Sequence, residues 1–348
     1  MGIQRKRAGA WLAGALGLVA SSVVLAAPAA VAGPPPCQTK NMRTGVEYKG
    51  ASAVTTAITE AAPGETISIW GICYGNFTVD KDLTLRGQGK NATLDGNEQG
   101  RVIAIDGGTT SIRNLKITNG ETAGLGGGIY VATAAVLDNV LVTGNSAGAT
   151  QFGGGIAADL GASLKLVDST VSGNTAGSSG GIDMFRAKAT LINSTVAGNH
   201  ATRTPGSEPD GCGFGDPVVL YSCAGGIWNY QGTLALVDST VSGNTAAYRG
   251  GGIASYVRFV DGNPVSGLTL LSGATSISSN TAGDRGGGIW ASTTFASTTI
   301  GVVAADGTAT YKDPISGSTL PAWTGFISGN TPDQCSPTLT IGGATCGA

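Results

Sequence analysis

Leu166-Val167-Asp168-Ser169-Thr170-Val171-Ser172-Gly173-Asn174-Thr175-Ala176 returns as the run from Leu236 to Ala246, and a close variant, Leu-Ile-Asn-Ser-Thr-Val-Ala-Gly-Asn, spans Leu191 to Asn199. Each copy is followed by Gly-Gly-Ile. A chain that repeats one phrase at a near-fixed interval is stacking one structural unit. The closing asparagine falls at Asn145, Asn174, Asn199, Asn244, Asn280 and Asn330, and the isoleucine of Gly-Gly-Ile at Ile129, Ile156, Ile182, Ile227, Ile253 and Ile289. The isoleucine steps are 27, 26, 45, 26 and 36, so the unit is roughly 26 residues and the longer steps hold insertions or extra coils. Within the unit apolar residues alternate, as at Leu164 and Leu166 and again at Leu234 and Leu236, and β-branched residues dominate. Strands, Gly-rich corners and no helix in a unit of that length predict one turn of a right-handed parallel β-helix. Each coil would lie about 4.8 Å from the next, and alike side chains would stack in columns.

Composition agrees. The 348 residues include 58 glycines, with 12% charged and 6% aromatic residues, an unusual balance for a compact enzyme core. The glycines have no triplet period, which excludes collagen. A formal net charge of −2 gives no electrostatic case for nucleic acid or an anionic membrane as partner. The single histidine, His200, rules out a multi-histidine metal site within one chain.

Residues 1–32 read as a secretion signal, with Arg5-Lys6-Arg7 at the start, an apolar stretch from Trp11 to Leu25, and Ala30-Val31-Ala32 before the cut. No second apolar run of spanning length follows, so a secreted, extracellular protein without a membrane span is expected. Export places six cysteines in an oxidising compartment, and their spacing suggests the local pairs Cys37–Cys73, Cys212–Cys223 and Cys335–Cys346. Residues 33–50 form a Pro-rich lead-in, and 51–348 a single β-helix domain. Within it, 51–62 read as a capping helix with Val54 and Ile58 on one face, 63–330 as coils, and 331–348 as a disulfide-tied C-terminal cap. A cap is physically required, because an open β-helix end exposes unpaired backbone and an apolar interior.

The run Ser172-Gly173-Asn174-Thr175-Ala176, followed by Gly180-Gly181-Ile182, resembles the repeat of the polymorphic outer-membrane (Pmp) proteins. In that family an aromatic usually leads the motif; Val142, Val171, Val196, Val241 and Ile277 take its place here. The stretch from Ala61 to Ile67, with Gly71 to Phe77, is similar to the opening coil of small secreted right-handed β-helix proteins of the pectin-lyase-like superfamily. The resemblance covers nearly all the chain beyond the signal and implies fold more than activity, since that superfamily mixes lyases, hydrolases, adhesins and coils without an assigned task.

Repeat residues carry structural roles. Aligned on the phrase, one position holds Asn114, Asn139, Asp168, Asn193 and Asp238, then Ala274 and Thr324; an Asn or Asp there caps a corner, and stacked amides can bond along the ladder. The Gly-Gly pairs are expected to permit sharp corners with φ > 0. The Ser-Thr pairs suit the pleat and are not nucleophiles with a base.

Two functional readings follow. The strings that polygalacturonase-like hydrolases would need (Asn-Thr-Asp, Asp-Asp, Gly-His-Gly, Arg-Ile-Lys) do not occur. Charges gather in the long step from Ile182 to Ile227, where Asp183, Arg186 and Lys188 precede an insertion carrying Asp210 and Asp216. These are the catalytic candidates of a polysaccharide lyase on an acidic glycan, the one reading that leaves room for Ca²⁺. The alternative reading is a solvated loop. The other functional idea uses aromatics. The residue after Gly-Gly-Ile points outward if the isoleucine points inward, which sets Tyr130, Trp228 and Trp290 in one column with Tyr230 nearby. Trp228 and Trp290 would lie two coils, about 9.6 Å, apart, provided the residues between Ile253 and Ile289 make a loop and not a coil. They would then stack sugar rings, unless the inserted loops cover them. The expected function is a secreted, non-catalytic protein at the cell surface or on extracellular glycans, with no cofactor; lyase activity is the runner-up.

Overall fold

The structure, a computed structural model, describes Gly2 and residues 36–203, 224–256, 258–260, 263–265, 268–291, 300–302, 311–336, 339–341 and 344–346. The signal reading and Cys212–Cys223 lie outside the described residues.

The chain from Pro36 onward is a parallel β-helix. One winding shows the plan. Ile156–Ala158 lies on the first wall, Ser163–Val167 on the second, Thr170–Ser172 on the third and Thr175–Ala176 on a short fourth, before Gly180-Gly181 returns the chain to Ile182–Phe185 on the first. The walls are sheets of 9, 11, 9 and 6 strands. Residues one winding apart pair directly: Ile156 with Ile182, Leu166 with Leu191, Val171 with Val196, Ala176 with Ala201. Ile103, Ile129, Ile156, Ile182, Ile227, Ile253 and Ile289 form one fully buried column. Burying such a side chain contributes about 1.5–3 kcal/mol, and a column repeats that gain at every winding.

The long steps hold insertions and no extra coils. Ile253 pairs directly with Ile289, and the additional residues include the antiparallel strands Arg258–Val260 and Asn263–Val265. In the last winding, Leu320 and Tyr311 pack on Ala235, Val237 and Leu270, covering the outer face of the second wall there.

The corners correct three sequence readings. Asn114, Asn139, Asp168, Asn193 and Asp238 do occupy a corner, with φ of 52°, 52°, 48°, 48° and 50°. In the next winding that place passes to Gly273 (φ 56°) and not to Ala274, because one extra residue enters between the paired strands. Asp238 Oδ1 instead accepts the Ala274 N–H at 2.7 Å. Secondly, where a glycine precedes the Gly-Gly pair, that glycine has φ > 0: Gly126, Gly153, Gly250 and Gly286; Ser179 and Ala224 precede the other two pairs. The pairs themselves are small for lack of room: a Cβ on Gly155 would sit 2.8 Å from Gly181 O and 2.9 Å from Asn174 Nδ2. Thirdly, the corner column bonds along itself where two amides are adjacent, Asn139 Nδ2 donating to Asn114 Oδ1 at 2.8 Å, but the longer amide ladder runs through the phrase-closing asparagines. The Nδ2 groups of Asn145, Asn174, Asn199, Asn244 and Asn280 each donate to the Oδ1 of the next at 2.9–3.0 Å. The same oxygens accept the backbone N–H of the preceding asparagine at 2.9–3.1 Å. Asn330 closes the ladder on Gln334 Oε1. The Ser-Thr serines form a second ladder, in which Ser169 N–H donates to Ser194 Oγ and Ser194 N–H to Ser239 Oγ.

The helix spans Ala53–Glu60 and buries Ala53, Val54, Ala57 and Ile58. Lys81 Nζ donates to the carbonyls of Ile58, Thr59 and Ala61 at 3.3 Å, satisfying its C-terminal end. The lead-in is not a plain coil. Gln38–Asn41 and Glu47–Lys49 form a hairpin that pairs antiparallel with Glu65–Trp70 and covers the edge of the second wall. Cys37–Cys73 ties this hairpin to the third wall, and Cys335–Cys346 ties the C-terminal region, where Leu339–Ile341 and Ala344–Cys346 pair antiparallel.

Candidate functional site: an aromatic pocket on the first wall

Because the isoleucine of each Gly-Gly-Ile is inward, its successor faces out. Register sets Tyr130, Ala157, Asp183, Trp228, Ala254 and Trp290 in one outer column. Two places further along the strand, Phe185, Tyr230 and Tyr256 form a second. Their rings stack along the helix axis, with centroids 5.4 and 5.3 Å apart and interplanar angles of 3° and 6°. Trp228 lies edge-on to Tyr230 at 5.7 Å, and Phe152, on the turn before Gly153, stacks on Trp228 at 5.0 Å. Alanine at 157 leaves room between these larger groups. The result is a pocket of about 210 Å³. Phe152, Phe185, Trp228 and Tyr230 line it, with Leu125, Ala157, Ala158, Asp159 and Asp183.

The two acids differ. Asp159 Oδ2 accepts the Tyr130 hydroxyl at 2.5 Å and its Oδ1 accepts the Leu160 N–H at 2.7 Å. Burial and that bond push Tyr130 up to about 12, against the opposing Arg101 guanidinium 4.7 Å over its ring. Asp183 is only 6% exposed and has no hydrogen-bond or ion-pair partner among the described residues. Burial, with the nearby Asp159 carboxylate, holds its carboxyl well above the usual range.

The sequence candidates fall as follows. Trp228 and Trp290 are two windings apart with Ala254 between them, but they are 2% and 4% exposed. They are therefore no open strip. Phe152 and Tyr230 pack on Trp228, and the Arg249 guanidinium lies 5.6 Å over Trp290. Tyr130 and Tyr230 stand on the same wall, and Tyr230 enters the pocket. Arg186, with φ 53°, is turned to Gln231 Oε1 at 2.7 Å. Lys188 starts the next strand, exposed, on the second wall. A lyase reading would have to draw on Asp210 and Asp216, which lie outside the described residues. Phe185 could have been found in the sequence, since it stands at the same offset after Gly-Gly-Ile as Tyr230. Asp159 stands at that same offset after Ile156, whereas Phe152 could not have been found, because it reaches the pocket from the segment before Gly153.

The fold and pocket define a parallel β-helix carrying a small aromatic site with one unpartnered acid. No family model, curated protein or solved structure matches the chain.

Proposed function

We propose that this is a secreted, non-catalytic β-helix protein acting at the cell surface or on extracellular glycans, and that the first-wall pocket holds one small end group or ring of its ligand. The observation that carries this reading is the pocket itself: concave, mostly apolar, with few polar groups, as small-ligand sites are. Its small, partly enclosed shape suits one unit or end group of a ligand. The likeness of the repeat to Pmp and pectin-lyase-like coils supports a place outside the cell. The test is retention on insoluble polysaccharides and glycan arrays, with and without calcium. Ala157→Leu, which fills the pocket from its own wall, should abolish retention; unchanged retention would remove the reading. Calcium-dependent release of unsaturated uronides in the same samples would establish the lyase alternative instead.

A further inference from the structure

We infer that the first-wall pocket takes a methylated ammonium group, with the Asp183 carboxylate as its counter-ion inside an aromatic lining. This rests on reading that pocket as the ligand site. Leaving a buried polar group unsatisfied costs about 1–3 kcal/mol, and more when it is charged. Asp183 is buried and without a partner among the described residues, at one position of a column holding Ala157 and Trp228 as neighbours, which leaves its carboxylate available to a ligand.

The surrounding groups narrow what that is. The nearby cations are engaged: Arg186 Nε donates to Gln231, and Arg101 donates to the carbonyls of Leu125 and Gly126. Both Asp159 oxygens already accept bonds. A primary ammonium needs three acceptors, and the hydroxyls of a neutral sugar need several partners, but the lining is mainly ring and methyl carbon. A quaternary ammonium needs no hydrogen bonds. Its methyl envelope suits the rings of Phe152, Phe185, Trp228 and Tyr230, and its charge meets the carboxylate of Asp183, which has no partner among the described residues. The raised affinity of Asp183 for its proton agrees, since a bound cation would favour the ionised form.

The experiment is calorimetric titration of the full chain with choline chloride and with 3,3-dimethylbutan-1-ol, which replaces the charged nitrogen by carbon at the same shape. Choline should saturate at a concentration at least about tenfold lower than the alcohol. Asp183→Asn should remove that preference and leave the alcohol's weak binding unchanged, with a melting temperature no lower than wild type showing that it folds. Equal binding of both probes, a choline affinity indifferent to Asp183→Asn, or no saturation by choline below about 100 mM would overturn the inference. Loss of polysaccharide retention in Ala157→Leu, found alongside any of these, would show that the pocket reading survives without it.

Discussion

Asp183 is where burial works against stability. Its folded carboxyl holds its proton more tightly than the unfolded chain does, so the native state binds more protons and stability falls as pH rises. That loss begins near the ordinary value of 3.8 and grows until the folded group ionises. Asp183→Asn removes the penalty. Urea melts should show the variant near wild type at pH 3 and more stable at pH 7; a variant less stable at pH 7 would mean that Asp183 has a stabilising partner. Asn199 makes the opposite case. Its Oδ1 accepts the N–H and Nδ2 of Asn174, and its Nδ2 donates to Val171 O and Asn244 Oδ1. Asn199→Ala removes all four bonds and leaves the Asn174 N–H without its acceptor, while Asn174 Nδ2 keeps Val142 O and Asn244 Oδ1 keeps the residue-199 N–H; it should cost about 1–3 kcal/mol in the same melts. Asn193, at a corner with φ 48°, should be replaceable by glycine at little cost, whereas alanine there meets a left-handed penalty of about 1–2 kcal/mol.

Among the strands and turns, the sequence was most legible where chemistry repeats. The Gly-Gly-Ile and Ser-Thr-Val phrases gave the period and the inward columns, because a stacked unit must present the same side chain to the same neighbour in every winding; that the long steps hold loops and not coils came only from the direct pairing of Ile182 with Ile227 and of Ile253 with Ile289. Corners were less legible. A glycine pair reads as backbone freedom, yet Gly155 is small because Gly181 O and Asn174 Nδ2 occupy the space a Cβ would need. Gly155→Ala should therefore destabilise by overpacking, about 1–3 kcal/mol. At Gly161, where φ is +78° and the space is open, alanine should cost only the backbone preference of about 1 kcal/mol. Urea midpoints for the two variants decide it, and equal losses would return the pairs to a purely conformational role. The pocket was half legible. Trp228 and Tyr230 sit at repeat offsets, but their burial is imposed by neighbours such as Phe152, whose position depends on how a turn folds back.

A β-helix is nearly one-dimensional, so its ends are where a bare strand edge can recruit another copy. Every interior strand of the second wall has a neighbour on both sides, but Glu65–Trp70 would present a bare edge if the hairpin Gln38–Asn41 and Glu47–Lys49 were absent. Cys37–Cys73 closes 36 residues of chain at that end, worth about 4 kcal/mol in the chain-entropy model. Glu65 adds a charged clasp, accepting bonds from Asn41 and Arg43 that hold its carboxyl below the ordinary range. An acid with a lowered folded pKa stabilises above its unfolded value, and that contribution disappears as pH falls through the folded one. Acid and reductant should therefore act together on one end. Reduced protein at pH 3 should lose amide protection first in 38–49 and 65–70, while the windings from 103 to 289 keep theirs. The freed edge should then pair with other copies, seen as growth in mass by light scattering. Thr66→Lys, which places a charge on that edge strand, should suppress the growth without restoring the protection. Uniform loss of protection along the chain would mean that the windings unfold as one cooperative block and that the hairpin is no guard.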